Sequence, residues 1–152
     1  MLIVGAETSV SFSAKDQAYY DRVNTIIECE QLVIKKQDGD YISFSIEVAD
    51  SPAEMERGLM FREDLHPSEG MLFVFPSERV MPFWMRNTLI SLDMLWIDSN
   101  GKIVYIHEKA EPLSEKSINP GRPARYVLEL EGGSVHSFNI KVGDQVAQRV
   151  IQ

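Results

Sequence analysis

Apolar and polar positions alternate cleanly in two stretches of the chain. Over Tyr41–Val48, Ile42, Phe44, Ile46 and Val48 fall on one face, and Tyr41, Ser43, Ser45 and Glu47 on the other. Over Arg125–Leu130, Tyr126, Leu128 and Leu130 oppose Val127 and Glu129. A period of two is that of a strand. Met71–Phe75 is an unbroken apolar run, as expected of a strand covered on both faces. Gln31–Lys36 reads as a strand leading into an Asp38-Gly39 hairpin turn, Leu59–Phe61 as the start of an extended segment, and Pro76–Val80 as a turn. Phe83–Met85 and Gln145–Ile151 read as further strands, the latter after a turn at Val142-Gly143-Asp144.

Ile90–Asp98 and Lys102–Lys109 form the strongest hairpin pattern. Asp98-Ser99-Asn100-Gly101 suits a type I turn followed by a glycine bulge. That register sets Asp98 opposite Lys102 and Asp93 opposite His107, with Leu92, Met94, Trp96, Val104 and Ile106 on one core face. A two-residue Asn-Gly turn instead slips the register by one and sets Asp93 against Glu108.

Helical signals are few. Ser51 as cap, Pro52 at the first position and Glu54 three after the cap predict a short helix over Pro52–Arg57, stopped by Gly58. Ser134 is placed to cap a single turn over Val135–Phe138. Residues 1–24 lack a clean period and read as an N-terminal arm, or as an arm with a short helix near Ala14–Val23; residues 25–152 read as a single domain. Together these signals predict a mostly β fold: one compact antiparallel β barrel or sandwich with one or two short helices.

Composition narrows the function classes. A chain of 152 residues is long enough for one core without staples. A net charge of −8 argues against a nucleic-acid partner, because such proteins normally carry a basic excess. No apolar run reaches the ~20 residues of a membrane helix, so the chain is not membrane-spanning. The Met1–Ala6 start is apolar but too short for a signal peptide, and is read as a possible remnant of one. Cys29 is the single cysteine; flanked by Glu28 and Glu30, it is a poor nucleophile and reads as buried and inert. The three histidines have no ligand-spaced partner, so no metal site is expected, and no cofactor fingerprint occurs.

The stretch Glu56–Asp98 holds both tryptophans and five of the seven methionines, so most of the core should come from it. Set among these apolar residues are Arg57, Arg62, Asn87, Thr88 and Asp93. Polar groups so placed need partners. Either they pair internally, with Arg57 or Arg62 clamping Asp93, or they border a pocket. Trp84, Met85, Asn87 and Thr88 would line such a pocket for a small polar molecule, with Arg62 among its binding residues and Arg57 as an anion or carboxylate clamp. The plainer alternatives are a core strand with a self-satisfied bend, and Arg57 resting on the helix dipole. The second candidate is the Asp93/His107 pair, which as a carboxylate orienting a histidine would be half of a general-base arrangement; as a structural feature it would simply tie two strands.

Several motifs resemble a known family. RGLMFRE (Arg57–Glu63), GMLFVFP (Gly70–Pro76), FWMRNT (Phe83–Thr88), ISLDMLWID closed by Gly101, AEPLSE (Ala110–Glu115) and VGDQV (Val142–Val146) are similar to the bacterial and archaeal domain-of-unknown-function 192 family. One small departure is Ser91, where the family typically has proline. The resemblance implies a compact, mostly β domain and no established activity. Many relatives carry an export signal, which implies an extracytoplasmic home. The leading expectation is a small-molecule or envelope-associated binding module. The alternatives are a hydrolase using Asp93 and His107, and a structural interaction domain presenting the Ala110–Ala124 loop.

Overall fold

The computed structural model describes residues 30–151, together with Lys15. The N-terminal arm, the helix near Ala14–Val23, the domain start at Thr25 and the setting of Cys29 lie outside the described residues. The described elements are β1 (Gln31–Lys35), β2 (Tyr41–Ala49), α1 (Pro52–Arg57), β3 (Glu69–Arg79), β4 (Leu92–Ile97), β5 (Ile103–Ala110), β6 (Ala124–Glu131), α2 (Ser134–Phe138) and β7 (Gln145–Ala147).

The seven strands form one curled sheet, a half-barrel, in the order β5-β4-β6-β3-β2-β1-β7. Every pair is antiparallel except β2 with β3, which run parallel. The expectation of an antiparallel sheet therefore fails at this one pair. Its cause is local: the α1 crossover returns the chain to the end of β2 at which it began. At one corner the two edges of the sheet meet. Ile103 donates to Asp144 O, and Gly143 N and Val146 N donate to Ile103 O and Gly101 O, at 2.7–3.0 Å. These bonds satisfy backbone groups that open edges would expose.

α1 forms as its sequence dictates. Ser51 Oγ accepts from Glu54 N at 3.3 Å, and the Glu54 carboxylate accepts from Ser51 N at 3.1 Å, a complete capping box. Gly58, at φ +48°, ends the helix by donating its N–H to Glu54 O. α2 departs from expectation. Gly133 is its N-cap, and the Ser134 hydroxyl has no partner among the described residues.

Both faces of the sheet are covered. One core gathers Leu32, Ile34, Phe44, Leu72, Leu95, Ile103, Tyr126, Leu128 and Val146, residues from all seven strands. The other packs Phe73, Phe75, Met94, Trp96 and Val127 of the central strands beneath Leu59, Leu65, Met81 and Met85 from the loops. The β4–β5 hairpin shows why its pattern misleads. Its turn is as expected, with Asp98 N bonded to Lys102 O and Gly101 at φ +82°. The register then shifts between Trp96 and Ile97, so that Trp96 faces Tyr105 and Met94 faces His107. Two consecutive residues, Val104 and Tyr105, thus pack on the Trp96 side, and Ile106 crosses to the other core. A bulge does this by placing two residues against one.

Four smaller expectations are corrected. β3 runs on to Arg79 through an irregular pairing, across the turn that the sequence predicts over Pro76–Val80. Leu59–Phe61 is not extended but turned, with Phe61 at φ +65°. Phe83–Met85 makes only a single bridge, Phe83 to Ile118. β7 stops at Ala147, and the chain then turns, with Ile151 N donating to Gln148 O.

Candidate functional site

A cleft of about 400 Å³ opens on the outer face of the sheet, between α1 with the turn after it and the segment of residues 82–88. Its walls are aromatic. Phe73 and Phe75 alternate along β3 and so project to the same side. Phe83 meets both edge-on, at 5.1 and 6.2 Å between ring centres, and meets Trp96 at 5.7 Å. Trp96 is fully buried and donates its indole N–H to Met81 O at 2.9 Å, which pins the 81–83 segment to the sheet. Gly58 lies against the Phe73 ring, where a Cβ would stand 3.1 Å from the nearest ring carbon. Trp84 is 46% exposed, with the Arg86 guanidinium 5.3 Å over its ring.

Charge is arranged unevenly round this cleft. Arg57, Arg79 and Arg86 line it, with Glu56. Arg86 pairs with Glu115 at 3.5 Å. Arg79 lies 5.6 Å over the Phe75 ring. Neither Arg57 nor Arg79 has a carboxylate partner among the described residues.

Glu129, which also lines the cleft, is its most unusual group. It lies on β6 opposite Met71 of β3 and Met94 of β4, and is only 4% exposed. Its carboxyl has no hydrogen-bond or ion-pair partner among the described residues, and it faces the cleft. Burial pushes it up to about 8, so at neutral pH it is mainly a neutral acid able to donate its O–H.

Of the residues singled out in the sequence, Arg57, Trp84 and Thr88 line the cleft. Thr88 bonds its own bend, donating its hydroxyl to Arg86 O at 3.1 Å. Met85 is buried beneath, in the core. Asn87 sits in the bend at φ +53°, its carbonyl accepting from Phe61 N, and does not line the cleft. Arg62 does not clamp Asp93. It makes a two-pronged pair with Glu47 at 2.5 and 2.6 Å, and its hydrogen bonds hold the Glu47 carboxyl below the usual range.

Asp93 and His107 do not form the expected pair. The bulges in β4–β5 set Met94 opposite His107. Asp93 is fully buried, and its carboxylate accepts three backbone N–H groups: Lys109 at 2.7 Å, Gly133 at 3.0 Å and Val135 at 2.8 Å. It caps α2 from a distance, doing what Ser134 was expected to do. A carboxylate so engaged holds three backbone donors in place, and among the described residues His107 is not one of its partners. Among the described residues no group of three or more His, Cys, Asp and Glu is arranged to hold a metal ion.

Sequence reasoning passed over Glu129, Arg79 and the Phe73/Phe75 wall. The available sign was a charged residue flanked by leucines in an apolar strand, Tyr126-Val-Leu-Glu-Leu130. Such a residue reads as facing solvent until the covering loops are known.

No helix among the described residues is long and apolar enough to cross a membrane. Comparison with known proteins agrees with the fold. The chain is similar to the UPF0127 protein of Pyrococcus furiosus, at 28% identity over 113 residues, spanning 71% of this chain and 90% of the relative. It is similar in structure to a candidate transcription regulator from Sinorhizobium meliloti 1021, with a TM-score of 0.77 and 39% identity over 78% of this chain and 92% of that one. A protein of unknown function from Novosphingobium aromaticivorans gives a TM-score of 0.74 and 34% identity, over 77% and 83% of the two chains. The model of the DUF192 family, described as Uncharacterized ACR, matches residues 33–148, and the chain belongs to that family of unknown function.

Proposed function

We propose that this chain is a small-molecule-binding module whose site is the aromatic cleft over β3 and β6. One observation carries the reading: Glu129, only 4% exposed, lines the cleft with no side-chain partner for its carboxyl among the described residues. Titratable groups perturbed by burial and facing a cleft are concentrated at functional sites. The volume of about 400 Å³ and the mix of aromatic walls with few polar groups match a ligand pocket. Arg57, Trp84 and Thr88 belong to this site; Glu129, Arg79 and Phe83 extend it. A hydrolase reading loses its residues, because Asp93 is spent on backbone N–H groups. The net charge of −8 weighs against a nucleic-acid partner.

Met55 and Met60 line the cleft, while Met85 and Met94 are buried in the core. A methyl-labelled protein titrated with a library of acidic, basic and neutral ring fragments tests the reading. Binding in the cleft moves the Met55 and Met60 signals first. A library in which no fragment moves them beyond Met85 and Met94 refutes it.

A further inference from the structure

The layout of charge round the cleft points to a class of ligand, an inference that rests on the cleft being a binding site. We propose that it takes a small ring-bearing acid, with its ring against Phe75, Phe83 and Trp84 and its carboxylate or other anionic group at Arg57 and Arg79.

Three observations support this class. First, the protein has 23 acidic residues against 15 basic ones, so carboxylate partners are plentiful. Arg57 and Arg79 nevertheless line one cleft without such a partner among the described residues. The third arginine, Arg86, is already engaged by Glu115. A guanidinium fork is the side chain best matched to a carboxylate or phosphate. Second, guanidinium and ring surfaces are contiguous. Arg79 lies over Phe75, and Arg86 over Trp84. A ligand joining a flat ring to an acid group meets both surfaces at once. Third, the deep carboxyl does not oppose an anion. Glu129 is mainly a neutral acid at pH 7, because burial holds its proton on. It can donate that proton's hydrogen bond to a hydroxyl or carbonyl on the ligand body. Among the described residues Glu56 is then the one other acidic group lining the cleft, against Arg57 and Arg79, since Arg86 is paired with Glu115. An organic amine is the class this layout repels.

A matched set of probes with one ring system tests the class: indole-3-acetate, indole-3-acetamide and tryptamine. Calorimetry at pH 7 and fixed salt gives the affinities, and the Met55 and Met60 methyl signals report where each probe binds. The acid is expected to bind about tenfold more tightly than the amide, and the amine most weakly, the advantage being that of charge-assisted over neutral hydrogen bonds. In an Arg57→Gln/Arg79→Gln double variant the acid's advantage over the amide should disappear. Both side chains are on exposed positions, so the variant should keep the wild-type melting temperature. If the amide or amine binds in the cleft as tightly as the acid, or the double variant keeps the acid's advantage, the ligand class is wrong while the binding site stands. If none of the three moves Met55 or Met60, and the fragment library does not either, both readings fall together.

Discussion

Replacing Glu129 by glutamine should stabilise the protein, and by an amount that depends on pH. Burial pushes the carboxyl from an ordinary 4.5 up to about 8. The folded protein therefore keeps this proton to higher pH than the unfolded chain does. Below the unfolded value both states hold the proton, and the group carries no penalty. Between the two values only the folded state holds it, and stability falls by about 1.4 kcal/mol for each unit of rising pH. Above the folded value both are ionised, and the whole penalty, about 5 kcal/mol, is in place. At pH 7.5 the penalty is about 4 kcal/mol by the same relation. Glutamine has nearly the same shape and cannot ionise. It breaks no bond, because the Glu129 carboxyl has no partner among the described residues to lose. Glu129→Gln should thus melt close to wild type at pH 4.5 and roughly 8–16 °C above it at pH 7.5, at about 2–4 °C per kcal/mol for a chain of this size. Thermal unfolding of both proteins from pH 4.5 to 8.5 gives the difference directly, and other titrating groups cancel in it. The shift comes from burial and not from a neighbouring charge, so 0.5 M salt, about five times the usual 0.1 M, should leave the difference in place. A melting difference that stays flat across this pH range would show that the carboxyl is not buried as described.

Three further substitutions probe the fold that holds the cleft. Asp93→Ala leaves the N–H groups of Lys109, Gly133 and Val135 without their acceptor, so it should cost about 3–5 kcal/mol in urea unfolding. A loss below about 1 kcal/mol would mean that water replaces the carboxylate freely. Ser51→Ala removes one half of the α1 capping box and should cost about 0.5–2 kcal/mol; coincident denaturation midpoints would show that the cap contributes nothing. Trp96→Ala removes a fully buried side chain, its ring contacts with Phe83 and Tyr105 and its bond to Met81 O, and should cost about 3–5 kcal/mol. If that variant melts like wild type, Trp96 does not pin the segment that walls the cleft.

What the sequence determined by itself is the set of features whose causes lie within a few residues of one another. The capping box of α1 joins Ser51 to Glu54, and the turn at Asp98–Gly101 is closed by its own aspartate and glycine. The alternation in β2 and β6 follows from the two-residue repeat of an extended chain, and it placed Tyr126, Leu128 and Leu130 together in one core. Three residues that line the cleft, Arg57, Trp84 and Thr88, were legible because polar and aromatic groups stand close together in that stretch, whereas Met85 went to the core. Tertiary structure decided the rest. The register shift that moves His107 away from Asp93 falls between Trp96 and Ile97, outside the turn, in a hairpin whose residues are divided between two cores. Asp93 finds Val135, and Arg62 finds Glu47, across separations that no local pattern encodes. Glu129 shows the difference most clearly. Alternation fixed which way it points, but whether that direction meets water depends on α1 and the 82–88 segment folding over it. Solvent access is a property of the whole assembly of elements, and with it goes the charge of the carboxyl at the base of the cleft.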